Sequence, residues 1–253
     1  MAEYVMITGA TSGIGLSLAK LFWDKGYDLI LVGRNEEKLR EVERELKAEN
    51  SGQELVVFTQ DLSKQGTGSA LYSWVKEKGL LVDILINNAG VGYVGEFCEG
   101  NLEQIESLIQ LNMTSLTELT YYFVREMKER RKGRILNVAS TGSYHPGPYT
   151  AVYYATKAYV LSLSEALHRE MKPYGVIVAS LCPGATATGF AKSAGREDAG
   201  FAMSPDFVAK KAFKGLIKGK RVIVPGIQNK CLIKMPRNIV AYFVARYQQK
   251  LKV

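Results

Sequence analysis

Short runs of apolar residues alternate along this chain with stretches in which apolar positions recur every three to four residues. The first run, EYVMITG, is a predicted strand, and Ile14, Leu18, Leu21 and Phe22 follow it with the spacing of one helix face. The alternation continues through six more predicted strands, which are YDLILVG, ELVVFTQ, DILINNAG, RILNVAS, VIVASLCPG and RVIVPG. Seven almost uniformly apolar strands separated by helices predict an α/β, doubly wound fold with a seven-stranded parallel sheet covered on both faces.

Local signals refine the predicted helices. Asn35 is suited to cap the helix after the second strand, and Ser204-Pro205 is an N-cap followed by an N1 proline. A long helical pattern runs from about Leu102 to Arg131, and we expect a break near Asn112. The stretch from about 185 to 203 is rich in Gly, Ala and Ser and lacks periodicity, so it is a predicted long loop.

Composition supports one globular domain over residues 1–253. The chain is 47% hydrophobic and 23% charged, and it has no apolar run of about 18 residues that would predict a membrane-spanning helix. The N-terminus, MAEYVMITGA, lacks the pattern of a secretory signal. Three widely spaced cysteines and two histidines predict neither a disulfide framework nor a metal site. We therefore expect a cytoplasmic protein.

The net charge is +8, and the basic residues are scattered except near the end of the chain. We therefore do not expect a nucleic-acid partner. The segment from about 236 to 253 has Ile239, Val240, Phe243, Val244 and Tyr247 on one predicted side, and on the other Arg237, Arg246, Lys250 and Lys252. Such a basic amphipathic helix can lie on a membrane, but packing on the core or on another subunit is more frequent and is favoured here.

A glycine-rich turn joins the first predicted strand to the first helix. Its sequence is TGATSGIG, with Gly9, Gly13 and Gly15 in a G-x3-G-x-G spacing. Glycines there allow a tight turn and a close backbone approach to a pyrophosphate, and the helix N-terminus attracts the anion. In this strand–turn–helix context the motif predicts nucleotide binding rather than a merely structural turn.

This spacing resembles the T-G-x3-G-x-G fingerprint of the short-chain dehydrogenase/reductase family, which has a Rossmann-type fold. The resemblance implies a nicotinamide-dependent oxidoreductase that transfers hydride between the cofactor and a carbonyl or secondary alcohol. Sequence similarity to the family's motifs extends from Thr8 to about Thr188.

The residue after the second strand bears on the choice of cofactor. An acid there binds the ribose 2′-hydroxyl of NAD, whereas an arginine accommodates the 2′-phosphate of NADP. This chain has Arg34 at that position and no acid before Glu36, so NADP(H) is favoured over NAD(H). The glycine loop itself has Thr11 and Ser12 where many NADP-preferring relatives carry a basic residue.

The segment YTAVYYATKAY contains four tyrosines, and Lys157 lies four residues after Tyr153, on the same helix face. The chain contains a second Tyr-x3-Lys pair, Tyr72 and Lys76, so the spacing alone is weak evidence. Ser140 distinguishes Tyr153, because it ends the preceding strand and should face the same crevice. The resemblance selects the same group, since Asn112, Ser140, Tyr153 and Lys157 match the catalytic residues of the family.

Chemistry is consistent with these roles. A free tyrosine has a pKa near 10, and a nearby ammonium favours the phenolate that a proton exchange requires. The resemblance implies that Tyr153 is the acid/base, that Lys157 also holds the nicotinamide ribose, that Ser140 bonds the substrate oxygen and that Asn112 holds a relay water. It further implies cofactor contacts at Gly9, Thr11, Ser12, Gly13, Ile14, Gly15, Arg34, Asp61, Leu62, Asn87, Ala89, Gly90, Tyr153, Lys157, Pro183, Gly184, Thr186 and Thr188.

Substrate selectivity is expected in the loop from about 185 to 203 and after Ser140, where Ser143, Tyr144, His145 and Tyr149 are candidate pocket residues. A loop histidine without a catalytic role is the favoured interpretation of His145. The competing function is a nucleotide sensor, which would typically lack the tyrosine or the lysine. Family analogy implies a homodimer or homotetramer.

Overall fold

A computed structural model describes residues 4–49, 52–190 and 202–250 of the chain. Seven strands in this part form one parallel sheet in the order β3-β2-β1-β4-β5-β6-β7. Their bounds are β1 Tyr4–Thr8, β2 Asp28–Gly33, β3 Leu55–Thr59, β4 Val82–Asn87, β5 Gly133–Val138, β6 Val176–Leu181 and β7 Val222–Ile223. The fold is a single Rossmann-type domain, as the apolar strand pattern predicts.

Helices cover both faces of the sheet. They are α1 Gly13–Trp23, α2 Glu36–Glu49, α3 Thr67–Glu77, α4 Leu102–Ile109, α5 Leu116–Arg130, α6 Ala151–Met171, α7 Pro205–Ile217, α8 Ile227–Leu232 and α9 Arg237–Lys250. Both predicted caps are present, since Asn35 accepts from Lys38 N at 2.9 Å and Ser204 accepts from Phe207 N at 3.2 Å.

The core has two halves because successive strand residues point to opposite faces. Val5 and Ile7 pack with α1, α2 and α7 on one face, whereas Met6 packs with α3 and α5 on the other. The strand order reverses between β1 and β4, which lie side by side although two strands, β2 and β3, separate them in sequence order. A crevice at the carboxyl ends of strands is expected at this switch point, and ligands of such folds bind there.

The predicted break in the long helix is a π-helical segment, Gln110–Ser115, between α4 and α5. A π segment is rare and is frequently found at functional sites. Asn112 lies inside it and is fully buried. The predicted position of the irregularity is therefore confirmed.

The C-terminal segment forms the predicted helix, α9, but the assignment of its faces is wrong. Val240 and Gln248 are buried, whereas Ile239, Phe243 and Tyr247 are exposed, together with Arg246. The apolar residues are thus divided between the inner and outer faces of the helix. Among the described residues, no helix is long and apolar enough to cross a membrane. The interior of the predicted substrate loop, 191–201, and Lys252 lie outside the described residues.

Candidate active site

The glycine turn between β1 and α1 has a backbone shape that lets a ligand come close to the main chain. Gly9 and Gly13 have φ of +67° and +55°, the left-handed region that favours glycine. A Cβ on Gly15 would overlap the carbonyl oxygen of Gly9, and one on Gly13 would lie 2.6 Å from Cβ of Thr188. The first turn of α1 contains no acid, and Ser12 makes no side-chain cap. The free N–H groups of this helix end therefore suit a phosphate group, and the residues present fit a dinucleotide.

Asn88 and Thr8 hold this turn in place. The amide of Asn88 donates to the carbonyl oxygens of Thr8 and Gly9 at 2.9 and 3.1 Å. In return, Thr8 Oγ1 accepts from the backbone N–H groups of Asn88 and Ala89, both at 3.0 Å. Asn88 thus has a structural role in the glycine turn, and Ala89 is fixed through its main chain.

Asn87 points in another direction. Its amide donates to Thr120 Oγ1 at 3.0 Å and to Asn137 Oδ1 at 2.9 Å, and Asn137 donates to Ser164 Oγ at 3.0 Å. All four side chains are buried, so they form a polar network inside the core. The strand pattern gave no signal for this network. Any contact of Asn87 with a cofactor is left to its main chain.

The end of β2 lies beside the glycine turn. Gly9 N donates to the Val32 carbonyl at 2.8 Å. Thr11 lies close to Gly33, because a Cβ on Gly33 would be 3.3 Å from the methyl group of Thr11. Arg34 follows at once and is exposed. Arg34 therefore follows the carboxyl end of β2, beside the glycine turn.

Asp61 lies just after β3. Burial raises the pKa of its carboxyl, but hydrogen bonds from Ser63 outweigh this effect, and the charges of Arg34 and Lys64 add to them, so the pKa lies below its usual value. Leu62 is buried, and its carbonyl accepts from Ser115 Oγ at 2.7 Å. Asp61 is thus a fixed anion near Arg34, and Leu62 is a packing residue next to it.

Lys157 lies at the centre of the predicted catalytic group. It is only 4% exposed, and its Nζ donates to the Val138 carbonyl at 2.7 Å. Burial lowers the pKa of this ammonium from 10.5 to about 8. Gly90 leaves room for it, because a Cβ on that residue would lie 3.4 Å from Nζ and 3.2 Å from Asn112 Oδ1. Gly90 therefore brings Lys157 and Asn112 to one point of the crevice.

The side-chain amide of Asn112 forms hydrogen bonds with other residues of the protein. It accepts from Val91 N at 3.1 Å and donates to the Val91 carbonyl and to Thr156 Oγ1 at 3.0 and 3.2 Å. Asn112 thus ties the π segment both to the chain after β4 and to the helix that carries Lys157.

Ser140 ends β5 and caps a short 3₁₀ turn, Thr141–Tyr144, with its Oγ accepting from Gly142 N at 3.0 Å. Ser143 Oγ accepts from Ser140 N at 3.3 Å and donates to the Lys157 carbonyl at 2.7 Å. The serine loop is therefore attached to the helix of Lys157, as the strand-end argument expects.

The tyrosines of α6 fall into different environments. Tyr153 is half-buried, with its ring centroid 5.8 Å from Lys157 Nζ and 5.4 Å from that of Phe190. The ring of Tyr154 instead packs on Gly142 and Gly147, and Tyr159 bonds Thr117 at 2.9 Å. Tyr153 is thus the α6 tyrosine placed beside the buried ammonium.

The chain after β6 closes the far side of the site. The buried Pro183 accepts from Thr141 N at 2.9 Å, and Gly184 lies against Asn229, where a Cβ would overlap the side chain. Thr186 Oγ1 donates to the Gly184 carbonyl at 2.9 Å, and Thr188 Oγ1 accepts from Phe190 N at 3.2 Å. Thr188 therefore packs over the glycine turn, while Asn229 is a neighbour that the motifs did not indicate.

Two of the candidate pocket residues instead connect the site to the C-terminal helices. His145 is buried and its Nε2 lies 3.1 Å from the Leu232 carbonyl, and burial lowers its pKa. Tyr149 has φ of +62°, and its hydroxyl accepts from Gln249 Nε2 at 2.7 Å. The interpretation of His145 as a non-catalytic residue stays a prediction.

Comparison with known proteins agrees with this geometry. The sequence matches the short chain dehydrogenase family over residues 3–199. The chain belongs to this family of nicotinamide-dependent oxidoreductases. Among solved structures it resembles a short-chain dehydrogenase from Sphingobium yanoikuyae in complex with NADPH, with 32% identity, a TM-score of 0.84, and coverage of 99% of this chain and 96% of that one.

Two curated relatives extend the comparison. The bovine very-long-chain 3-oxoacyl-CoA reductase is 34% identical over 200 residues, and the human 17-beta-hydroxysteroid dehydrogenase type 3 is 33% identical over 196 residues. Each alignment covers 76% of this chain but only 62% of the relative.

Proposed function

We propose that this protein is an NADP(H)-dependent oxidoreductase that interconverts a carbonyl compound and a secondary alcohol, with Tyr153 as its acid/base. The observation that carries the proposal is the convergence of Tyr153, Lys157 and Ser140 at the carboxyl ends of the strands, beside the glycine turn. A bound nicotinamide would supply or accept the hydride, while the protein handles the proton.

In reduction, Tyr153 Oη would donate its proton to the carbonyl oxygen as the alcohol forms. The Lys157 ammonium favours the phenolate that remains, since an opposite charge nearby stabilises an ionised group. Ser140 would donate its hydroxyl proton in a hydrogen bond to the same substrate oxygen, because a hydroxyl that accepts one bond can still donate. The amide of Asn112 is used on Val91 and Thr156, so its main-chain carbonyl would hold the relay water.

The test is NADPH oxidation against a panel of ketones chosen from the relatives. The panel contains a long-chain 3-oxoacyl-CoA and a steroid ketone, which the names of those relatives suggest as substrate classes. We expect Tyr153→Phe to bind NADPH normally and to lose activity by about 100- to 10,000-fold, the usual contribution of a general acid.

Tyr72→Phe is the matched control, because it alters the second Tyr-x3-Lys pair. Tyr72 lies between α3 and α5, where its hydroxyl donates to Glu126 at 2.6 Å and its ring stacks on Tyr122, so the variant should keep full activity. Equal loss in both variants, or unchanged activity in Tyr153→Phe, would refute the assignment. NADPH binding without turnover of any carbonyl would favour a nucleotide sensor.

The preference for NADP(H) rests on Arg34. A guanidinium can form two parallel hydrogen bonds with a phosphate, and a charge-assisted hydrogen bond of this kind contributes about 1.5–3 kcal/mol. Arg34→Gln should therefore raise the KM for NADPH about 10- to 100-fold while leaving that for NADH nearly unchanged. Arg44→Gln, at an exposed position on α2, is the control. An equal effect on both cofactors would show that Arg34 does not read the 2′-phosphate.

A cytoplasmic location and a homodimeric or homotetrameric state remain proposals from the sequence. Size-exclusion chromatography with light scattering tests the second.

A further inference from the structure

Charge is unevenly distributed along this chain. Residues 207–253 contain 12 of its 33 lysines and arginines and none of its 25 acidic residues. The preceding 206 residues, with 21 basic and 25 acidic side chains, therefore carry a net charge of −4. The positive net charge of the protein arises entirely from its C-terminal part.

The same part presents apolar surface to solvent. On the outer face of α9, Phe243 is 60% exposed and Tyr242 is 57% exposed, and Ile239 and Tyr247 lie beside them. Arg246 lies on this face as well, with Nη1 donating to Tyr242 Oη at 3.1 Å. We call these five residues the α9 outer face. Exposed bases also precede it in the chain, at Lys230, Lys234 and Arg237.

From these observations we propose that the α9 outer face docks on an anionic lipid surface, with the helix lying in the plane of the membrane interface. Aromatic rings favour the headgroup region, aliphatic side chains favour the acyl boundary, and bases favour anionic headgroups. The proposal does not depend on the enzyme's activity.

A second copy of the chain fits this face less well. A two-fold contact would place the face against itself, so that Arg246 would approach its own counterpart. No acidic residue of the segment could neutralise that charge, and like charges in contact are unfavourable. Charge complementarity therefore requires an anionic partner, and exposed Ile239 and Phe243 favour lipid over nucleic acid.

Docking in this way would place the membrane next to the substrate side of the site. Gln249 of α9 bonds Tyr149, which immediately precedes the catalytic helix α6, and Leu232 of α8 bonds His145. The helix that would lie on the lipid is thus attached to the loop that follows Ser140.

The experiment is sedimentation of the 253-residue protein with phosphatidylcholine vesicles, with and without phosphatidylglycerol, at low and high salt. We expect binding to the anionic vesicles only, weakened by salt. Tyr242→Ser/Arg246→Gln should weaken binding at least fivefold, the effect of about one cation near an anionic surface.

The chain supplies a matched control in α5. Arg125 Nη1 donates to Tyr121 Oη at 3.1 Å, and Tyr121 is 53% exposed, so this pair has the same spacing and geometry as Tyr242 and Arg246. Tyr121→Ser/Arg125→Gln should bind vesicles as the wild type does. Circular dichroism melts would verify that both double variants remain folded.

Three results would overturn the proposal. The first is absence of binding to anionic vesicles, including the case in which the protein binds duplex DNA instead. The second is equal weakening by the α9 and α5 double variants. The third is a wild type that binds no vesicles and whose oligomer mass, measured by light scattering, is lower in the Phe243→Glu variant. This result would assign the face to a second copy.

Discussion

Replacement of Lys157 by methionine should separate stability from activity. The side chain is buried, and burial lowers the pKa of its ammonium from 10.5 to about 8. A lysine whose pKa is depressed in the folded state destabilises that state fully at pH values below the folded pKa, and the effect disappears as the pH rises through the unfolded pKa. The difference between the two pKa values corresponds to about 3 kcal/mol below pH 8. Methionine has a similar shape and no charge, so this penalty disappears in the variant.

A second effect opposes the gain. Methionine cannot donate to the Val138 carbonyl, which Nζ contacts at 2.7 Å, and loss of a buried hydrogen bond costs about 1–3 kcal/mol. Lys157→Met should therefore be as stable as the wild type at pH 7, or more stable by up to about 2 kcal/mol. Its kcat/KM should fall on the order of 100-fold or more, because the phenolate of Tyr153 loses its cation.

The pH dependence is the sharper test. The charge penalty in the wild type is full below pH 8 and vanishes as pH approaches 10.5, so the wild type gains stability across this window and the variant does not. The advantage of Lys157→Met should shrink by about 2 kcal/mol between about pH 7 and about pH 9.5. Urea unfolding of both proteins at the two pH values measures this change.

Lys76→Met is the control, because that lysine is half-exposed and pairs with Glu126 at 2.8 Å. A surface ion pair contributes about 0–1 kcal/mol, so a small effect without the same pH dependence is expected. The reasoning fails if Lys157→Met is clearly less stable than the wild type at neutral pH and the difference does not change with pH. Lys157 would then be stabilised as a cation within the fold.

Two further substitutions test other parts of the site. Gly15→Ala should weaken NADPH binding by about 100-fold or more, measured by cofactor fluorescence, because its methyl group has no room in a turn that must approach the phosphates. Gly26→Ala, which strains a positive φ in open space, should lose about 1 kcal/mol of stability and keep binding. Asn137→Ala should lower the free energy of unfolding by about 2–4 kcal/mol, since it leaves buried polar partners unpaired. Asn101→Ala, at an exposed helix cap, should cost only about 1 kcal/mol.

Unchanged NADPH affinity in Gly15→Ala would show that the turn has room for a methyl group or that the nucleotide binds elsewhere. An equal loss of stability from the two asparagine substitutions would show that the core network contributes no more than a surface cap.

Apolar periodicity was sufficient to predict the sheet, because a strand buried on both faces leaves an uninterrupted run such as DLILVG. The glycine turn could also be predicted, because its conformation leaves no room for side chains and the sequence therefore has glycines at these positions. Ser140 and Lys157 could be placed in one crevice because strand ends and helix starts meet at one edge of a parallel sheet.

Other features could not be predicted because they depend on pairs of residues distant in sequence. Asn87 and Asn137 each occupy an apolar strand, and only the parallel pairing of β4 with β5 shows that Asn87 donates a hydrogen bond to Asn137. The faces of α9 were assigned wrongly for a related reason. A helix with apolar residues on two sides has no periodicity that shows which side meets the core, and small residues such as Ala241 and Ala245 can line the inner face.

The π segment that carries Asn112 has a consequence for how this site can change. A π turn contains one residue more than the α-helix it interrupts, so deletion of one residue between Gln110 and Ser115 would allow α4 and α5 to join as a straight helix. Each residue of a helix turns it by about 100°, so the deletion would rotate either Asn112 away from Val91 or Phe123 away from the core. Substitutions elsewhere in this helix leave that relation intact, whereas a change in its length does not. Insertions and deletions should therefore be rare in this helix and better tolerated in the loops around it.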